Sequence, residues 1–113
     1  MEKKKMSQEL ARALIVTIVK RGWGDIVLES AINSGASGAT ILFGRGMGIH
    51  EKQKLFGVCI EPEKEVVLCT VSRDIENTVL KEIIKRAELN KPGMGIAFII
   101  PVEKVFGVVH MPE

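Results

Sequence analysis

The sequence predicts an α+β fold, a ferredoxin-like βαββαβ sandwich. It has a four-stranded antiparallel sheet, two helices on one face, and a long loop between the second and third strands. Three observations predict it. First, the chain repeats itself: "TIVKRGWGDIVLESAI" (17–32) lies over "CTVSRDIENTVLKEII" (69–84) at a constant offset of 52. Val19/Val71, Arg21/Arg73, Val27/Val79, Leu28/Leu80 and Ile32/Ile84 are identical, and each stretch leads through a glycine turn into an apolar run. Second, each half reads as strand, helix, strand. Third, about twenty residues without a clear element separate "ILF" from "EVVL".

In chain order, "ALIVTIVK" (13–20) comes first; it is rich in Ile and Val and too short for most helices, so it is a strand. Residues 23–33 place Trp23, Ile26, Val27, Ala31 and Ile32 at helical spacing. "NSGASG" (33–38) ends that helix, and "ATILF" (39–43) is the second strand. "EVVLCTV" (65–71) is the third strand. The second helix runs from about Asp74, a capping residue, to Glu88, with Ile75, Val79, Ile83 and Ala87 as its stripe. Glu82 and Arg86 are spaced for an i,i+4 ion pair. "NKPGMG" (90–95) breaks the chain, "IAFII" (96–100) is the fourth strand, and Pro101 ends it. "KVFGVV" (104–109) is expected as a short fifth strand. The right-handed crossover rule sets the hand.

Two helices cover one sheet face. The strands are nevertheless apolar at nearly every position, where a strand buried on one side alternates. A monomer would leave a large apolar surface in water, so an oligomer closed around the open sheet faces is expected.

With 113 residues the chain has room for one domain, 1–113, with 1–11 as an N-terminal extension and 44–64 as a long flexible loop. A net charge of +2 argues against a nucleic-acid partner or an anionic membrane surface. No stretch has membrane-spanning length, so no membrane insertion is expected. "MEKKK" followed by "ALIVTIV" mimics a secretory signal, but the apolar run is short and Glu9 and Arg12 precede it. The expected location is the cytoplasm, with Cys59 and Cys69 reduced.

The long loop begins "FGRGMGIHEKQ" (43–53). Gly44, Gly46 and Gly48 are spaced G-x-G-x-G with no helix after them, so this is not a dinucleotide fingerprint. It is either a flexible root or a root that touches a ligand. Lys91, Gly93, Met94 and Gly95 form either an ordinary turn or a ligand-holding one. Arg21 and Arg73 each come just after a strand and read as solvated arginines. His50 and Glu51 read as loop surface, and no nucleophile–base pair or paired acids stand at workable spacing, so catalysis is not expected.

The repeated strand–helix–strand plan, the loop after "FGR", the helix before "NKPGMG" and "PVEKV" beyond the last strand together resemble the nitrogen-regulatory PII signalling proteins. The likeness spans about residues 13–107. It implies a homotrimer with sheets facing inward. It also implies an adenine-nucleotide site for ATP, ADP or AMP between subunits, formed by Gly44, Arg45 and Gly46 with Lys91, Gly93, Met94 and Gly95. The long loop would dock on a target protein, a transporter or an enzyme. Several positions depart from the family's pattern. Gly46 stands where the family has a glutamine that holds magnesium and 2-oxoglutarate, and glycine offers no side-chain oxygen, which counts against both. Ile96, Gly107 and Val109 stand where the family has a lysine and two arginines that reach phosphates. With no tyrosine in the chain and no serine between residues 44 and 71, the family's modification switch is missing. The competing reading is a trimeric metal- or small-molecule-binding regulator that takes no nucleotide, with His50, Cys59 and His110 as ligands if they converge.

Overall fold

A computed structural model describes residues 11–48 and 62–107, and the backbone of 53–55 and 58–60. The strands are β1 (Arg12–Lys20), β2 (Gly38–Arg45), β3 (Gln53–Leu55), β4 (Val58–Ile60), β5 (Glu63–Ser72) and β6 (Gly95–Val102). Helix α1 (Gly24–Asn33) links β1 to β2. A 3₁₀ turn (Arg73–Ile75) and then α2 (Glu76–Arg86) come after β5. The main sheet is antiparallel in the order β2-β5-β1-β6, with β3 and β4 paired separately. This is the βαββαβ sandwich that the repeat predicts. Gly24 and Glu76 open the two helices at the offset of 52, while β2 and β6 match at 57, so the second connection carries the five extra residues.

The sheet sorts its side chains by the two-residue period of a strand. Ala13, Ile15 and Val19 of β1 and Val67, Cys69 and Val71 of β5 face the helices. They pack with Val27 and Ala31 of α1 and Val79, Ile83 and Ala87 of α2. Burial pushes the Cys69 thiol up to about 11, so at neutral pH it stays protonated and behaves as a small core residue. The other face carries Leu14, Val16 and Ile18 on β1. Directly opposite them lie Leu68 and Val66 on β5 and Ile100, Phe98 and Ile96 on β6. Phe98 and Ile100 stay more than 40% exposed in the single chain. The apolar second face expected from the strands is therefore present.

Several local expectations are corrected. Trp23 is the N-cap of α1 and not its first turn, and Ile32 is exposed. Ser30 takes the buried position instead, because its hydroxyl donates to the Ile26 carbonyl at 2.7 Å and needs no other partner. The start of α1 receives its partner from the sheet: the backbone N–H of Gly24 donates to Oε1 of the buried Glu65 at 2.7 Å. A carboxylate there also meets the positive end of the helix dipole. In the second half the cap is Ser72 and not Asp74, since Ser72 Oγ accepts from the Asp74 N–H. Arg86 reaches across to Glu29 of α1 at 3.6 Å, not along its own helix to Glu82. Pro101 lies inside β6, tolerated because β6 is an edge strand paired only with β1. Residues 104–107 form no strand, and 108–109 lie outside the described residues. The ladder carries β2 to Arg45 and starts β5 at Glu63, so the loop narrows from 44–64 to 46–62, and it contains the β3–β4 pair.

Both helices end alike. After α1, Ala36 N–H donates to Ala31 O and Gly35 N–H to Ile32 O; after α2, Leu89 N–H donates to Ile84 O and Glu88 N–H to Lys85 O. This paired arrangement needs a left-handed residue. The first repeat supplies Gly35 (φ +123°), but the second places Glu88 there at φ +58°. Glu88→Gly is therefore expected to raise stability by about 0.5–1 kcal/mol, because the strain at Glu88 outweighs its exposed ion pair with Lys91. A urea midpoint that falls would contradict this.

Candidate functional site

One cleft of about 660 Å³ brings the two halves of the repeat together. Its first wall runs from Gly44, at the end of β2, to Gly48 in the root of the loop. Its second wall is Leu89 to Gly93 with Gly95 and Ile96 at the start of β6, and Ile18, Lys64 and Val66 form the floor. Of the residues expected from sequence, Gly44, Arg45, Gly46, Lys91, Gly93 and Gly95 all line it. Met94 belongs to the same turn but does not line the cleft; its N–H is spent on the Lys91 carbonyl at 3.3 Å.

The root of the loop is more ordered than a hinge. Gly44 pairs with Lys64 and Arg45 with Glu63 in the ladder, and the Gly46 N–H donates to the Pro62 carbonyl at 3.1 Å. Gly44 therefore stands inside the sheet and Gly46 directly next to it, so the flexible root begins beyond them. What the glycines leave is space. A Cβ at Gly44 would meet no atom within 4 Å, and one at Gly46 would approach only the Lys64 stem, at 3.8 Å.

The opposite wall is tightly built. Gly93 adopts φ +81° and Gly95 φ +146°. A Cβ on Gly95 would overlap the carbonyl oxygen of Ile18 and sit 3.0 Å from Val19 Cγ1, so close packing of the turn on β1 demands glycine. Lys91 is held over the cleft edge by Glu88, its Nζ 3.1 Å from Oε1.

Lys64 lines the same cleft, and sequence reasoning misses it. It is only 8% exposed, lies on the apolar open face and lines the cleft floor. The signal is in the sequence: in "EPEKEVVL" the two-residue period puts Lys64 in line with Val66 and Leu68, and a charge on an apolar face needs an explanation. Arg21 and Arg73 behave as solvated arginines, paired with Glu63 and Glu76. Among the described residues no three His, Cys, Asp or Glu side chains group to hold a metal. His50, the Cys59 side chain and His110 lie outside the described residues.

The chain is a ferredoxin-like sandwich whose loop root and glycine turn share one cleft, lined by Arg45, Lys64 and Lys91. The family model of the nitrogen regulatory protein P-II matches residues 12–110, and the chain belongs to that family. Its members are signal transducers and not enzymes; they form trimers and typically bind adenine nucleotides. The fold is similar to that of Arabidopsis thaliana PII in a crystal structure with citrate bound: TM-score 0.63, 24% identity, 82% of this chain and 78% of that chain covered. Comparison with curated proteins gives no match. No helix among the described residues is long and apolar enough to cross a membrane.

Proposed function

We propose that this P-II protein is a cytoplasmic homotrimer that senses an adenine nucleotide or a related anion in this cleft. Residues 46–62 of its single domain then act as the arm that controls a target protein, a transporter or an enzyme. One observation carries the reading: Arg45, Lys64 and Lys91 come from three separate segments and meet at one cleft floored by Ile18, Val66 and Ile96. Cations beside an apolar ledge suit a ligand with an anionic group and a flat apolar body. Gly44, Gly46 and Gly93 leave the walls open for backbone approach. The described lining offers no carboxylate, histidine or cysteine, so it does not suit magnesium, and Gly46 adds no oxygen for 2-oxoglutarate chelation.

Calorimetric titration of the full-length protein with ATP, ADP and AMP, with and without 2-oxoglutarate, tests this. Binding below millimolar ligand is expected for at least one nucleotide, with no 2-oxoglutarate dependence. Lys64→Met keeps an apolar stem in the floor and removes the charge. It is expected to weaken nucleotide binding by about 10- to 100-fold, the value of one charge-assisted hydrogen bond of roughly 1.5–3 kcal/mol. No change in affinity would remove Lys64 from the site.

A further inference from the structure

The turn between α2 and β6 holds one cation in a way that fold stability does not explain. We infer that Glu88 is a built-in competitor of the ligand: its carboxylate draws the Lys91 ammonium away from the cleft, and an anionic ligand must win that ammonium from it. The inference rests on the nucleotide reading above. Among the described residues Glu88 is the only one other than glycine with a positive φ. The matching position after α1 is Gly35, which takes such a conformation without strain. A glutamate there is strained, and an exposed ion pair returns less than the strain costs. Strain that stability does not repay points to a role for the side chain. That side chain pairs with Lys91, its Oε1 3.1 Å from Nζ.

The place of this pair decides its effect. A second hollow of about 450 Å³ adjoins the cleft on the side of α2. Asn90 and Lys91 line both spaces and so form the wall between them. Glu88 lines the second hollow and not the cleft. The ammonium bonded to it is therefore drawn to the helix side of the wall, while the same lysine borders the cleft. A lysine carries its charge on a flexible four-carbon stem, so Nζ can change sides without moving the turn. The turn keeps its own backbone bonds: the Lys91 N–H donates to the Glu88 carbonyl at 3.1 Å and the Met94 N–H to the Lys91 carbonyl at 3.3 Å. Lys85 also lines the second hollow, so Glu88 still has a cation beside it once Lys91 has left. The Glu88–Lys91 pair lies within one chain, so it forms whatever a neighbouring copy adds to the cleft.

The test is calorimetry on the full-length protein with ATP, ADP and AMP, at one low ionic strength. Glu88→Gln keeps the length of the side chain and removes its charge. It is expected to tighten the best-bound nucleotide by about two- to fivefold, the fold-change that one exposed ion pair is worth. Glu88→Gly frees Lys91 as well and is expected to tighten binding by a similar factor. In a Lys91→Met background the same Glu88→Gln change is expected to alter affinity by less than about twofold, because the contested ammonium is gone. Lys91→Met alone is expected to cost less than about tenfold, since the ligand must share Lys91 with Glu88. A Glu88→Gln gain below twofold overturns the inference and leaves the nucleotide reading in place. A gain of twofold or more in the Lys91→Met background also overturns it, because the effect would then be the general field of a carboxylate. A larger loss on Lys91→Met overturns it too, since the ammonium would already be given to the ligand. If none of the three nucleotides binds parent or variant at millimolar concentration, the nucleotide reading falls and the inference with it.

Discussion

Gly95→Ala is expected to destabilise the protein by about 3 kcal/mol or more, the upper range for a single substitution. Two costs combine. At φ +146° a side chain is strained whatever the space around it. The space is also taken: the new methyl would overlap the Ile18 carbonyl oxygen and press on Val19 Cγ1 at 3.0 Å and Cα at 3.2 Å. None of these atoms can move aside cheaply. Residues 18 and 19 are in the central strand β1, paired on one side with β5 and on the other with β6. The first residue of β6 must therefore retreat, opening the cleft between Ile18 and Ile96. Urea denaturation measures the loss, and the same sample is expected to bind nucleotide more weakly. Gly44→Ala is the control. Its Cβ meets nothing within 4 Å, and the expected change is within about 0.5 kcal/mol. A Gly95→Ala loss below about 1 kcal/mol would mean that the turn can shift freely on β1.

The contrast between these two glycines shows what the sequence makes legible. The repeat, the strand periods and the turn residues are local signals, and they place every main strand and both helices to within a few residues. The errors lie where a distant residue decides. Trp23 caps α1 without a side-chain bond because Glu65, forty-one positions away from Gly24, accepts from its N–H. Arg86 abandons an i,i+4 partner for Glu29 because α1 and α2 pack side by side. Pro101 looks like a strand end until the sheet order shows β6 at an edge. At the site, six of the seven expected residues line the cleft, since both of its walls are glycine-marked turns visible as motifs. The floor is different. Ile18, Lys64 and Val66 come from β1 and β5, whose register no motif announces, and they meet through the ladder pairing Ile18 with Val66. Lys64 could be read as a misplaced charge in an apolar alternation, but its target is visible only once β2 and β5 are side by side.

Val16→Asp is expected to break the protein into single copies. Val16 sits at the middle of the open face, with Leu68 opposite on β5 and Phe98 opposite on β6. In the homotrimer proposed above, this face is covered by the same face of its neighbours. An aspartate there would be buried without a partner in every copy, at a cost of several kcal/mol each. Because the copies associate through equivalent surfaces, the penalty repeats around the assembly and exceeds what a modest apolar interface returns. Light scattering reads the outcome: three copies for the parent protein and one for the variant. Asn77→Asp, a new charge on the exposed side of α2, is expected to leave the mass at three copies. The variant chain keeps its helix-side core of Ile15, Val67, Val79 and Ile83, so it is expected to remain folded by circular dichroism. Ile18, Val66 and Ile96 belong both to the open face and to the cleft floor, so the two surfaces are continuous. Loss of the neighbours therefore exposes the cleft to water, and nucleotide affinity is expected to fall at least tenfold in the single copies although no cleft residue has changed. A Val16→Asp protein that stays at three copies would remove the apolar face as the seat of assembly. A dissociated variant with undiminished affinity would mean that each cleft is complete within its own chain.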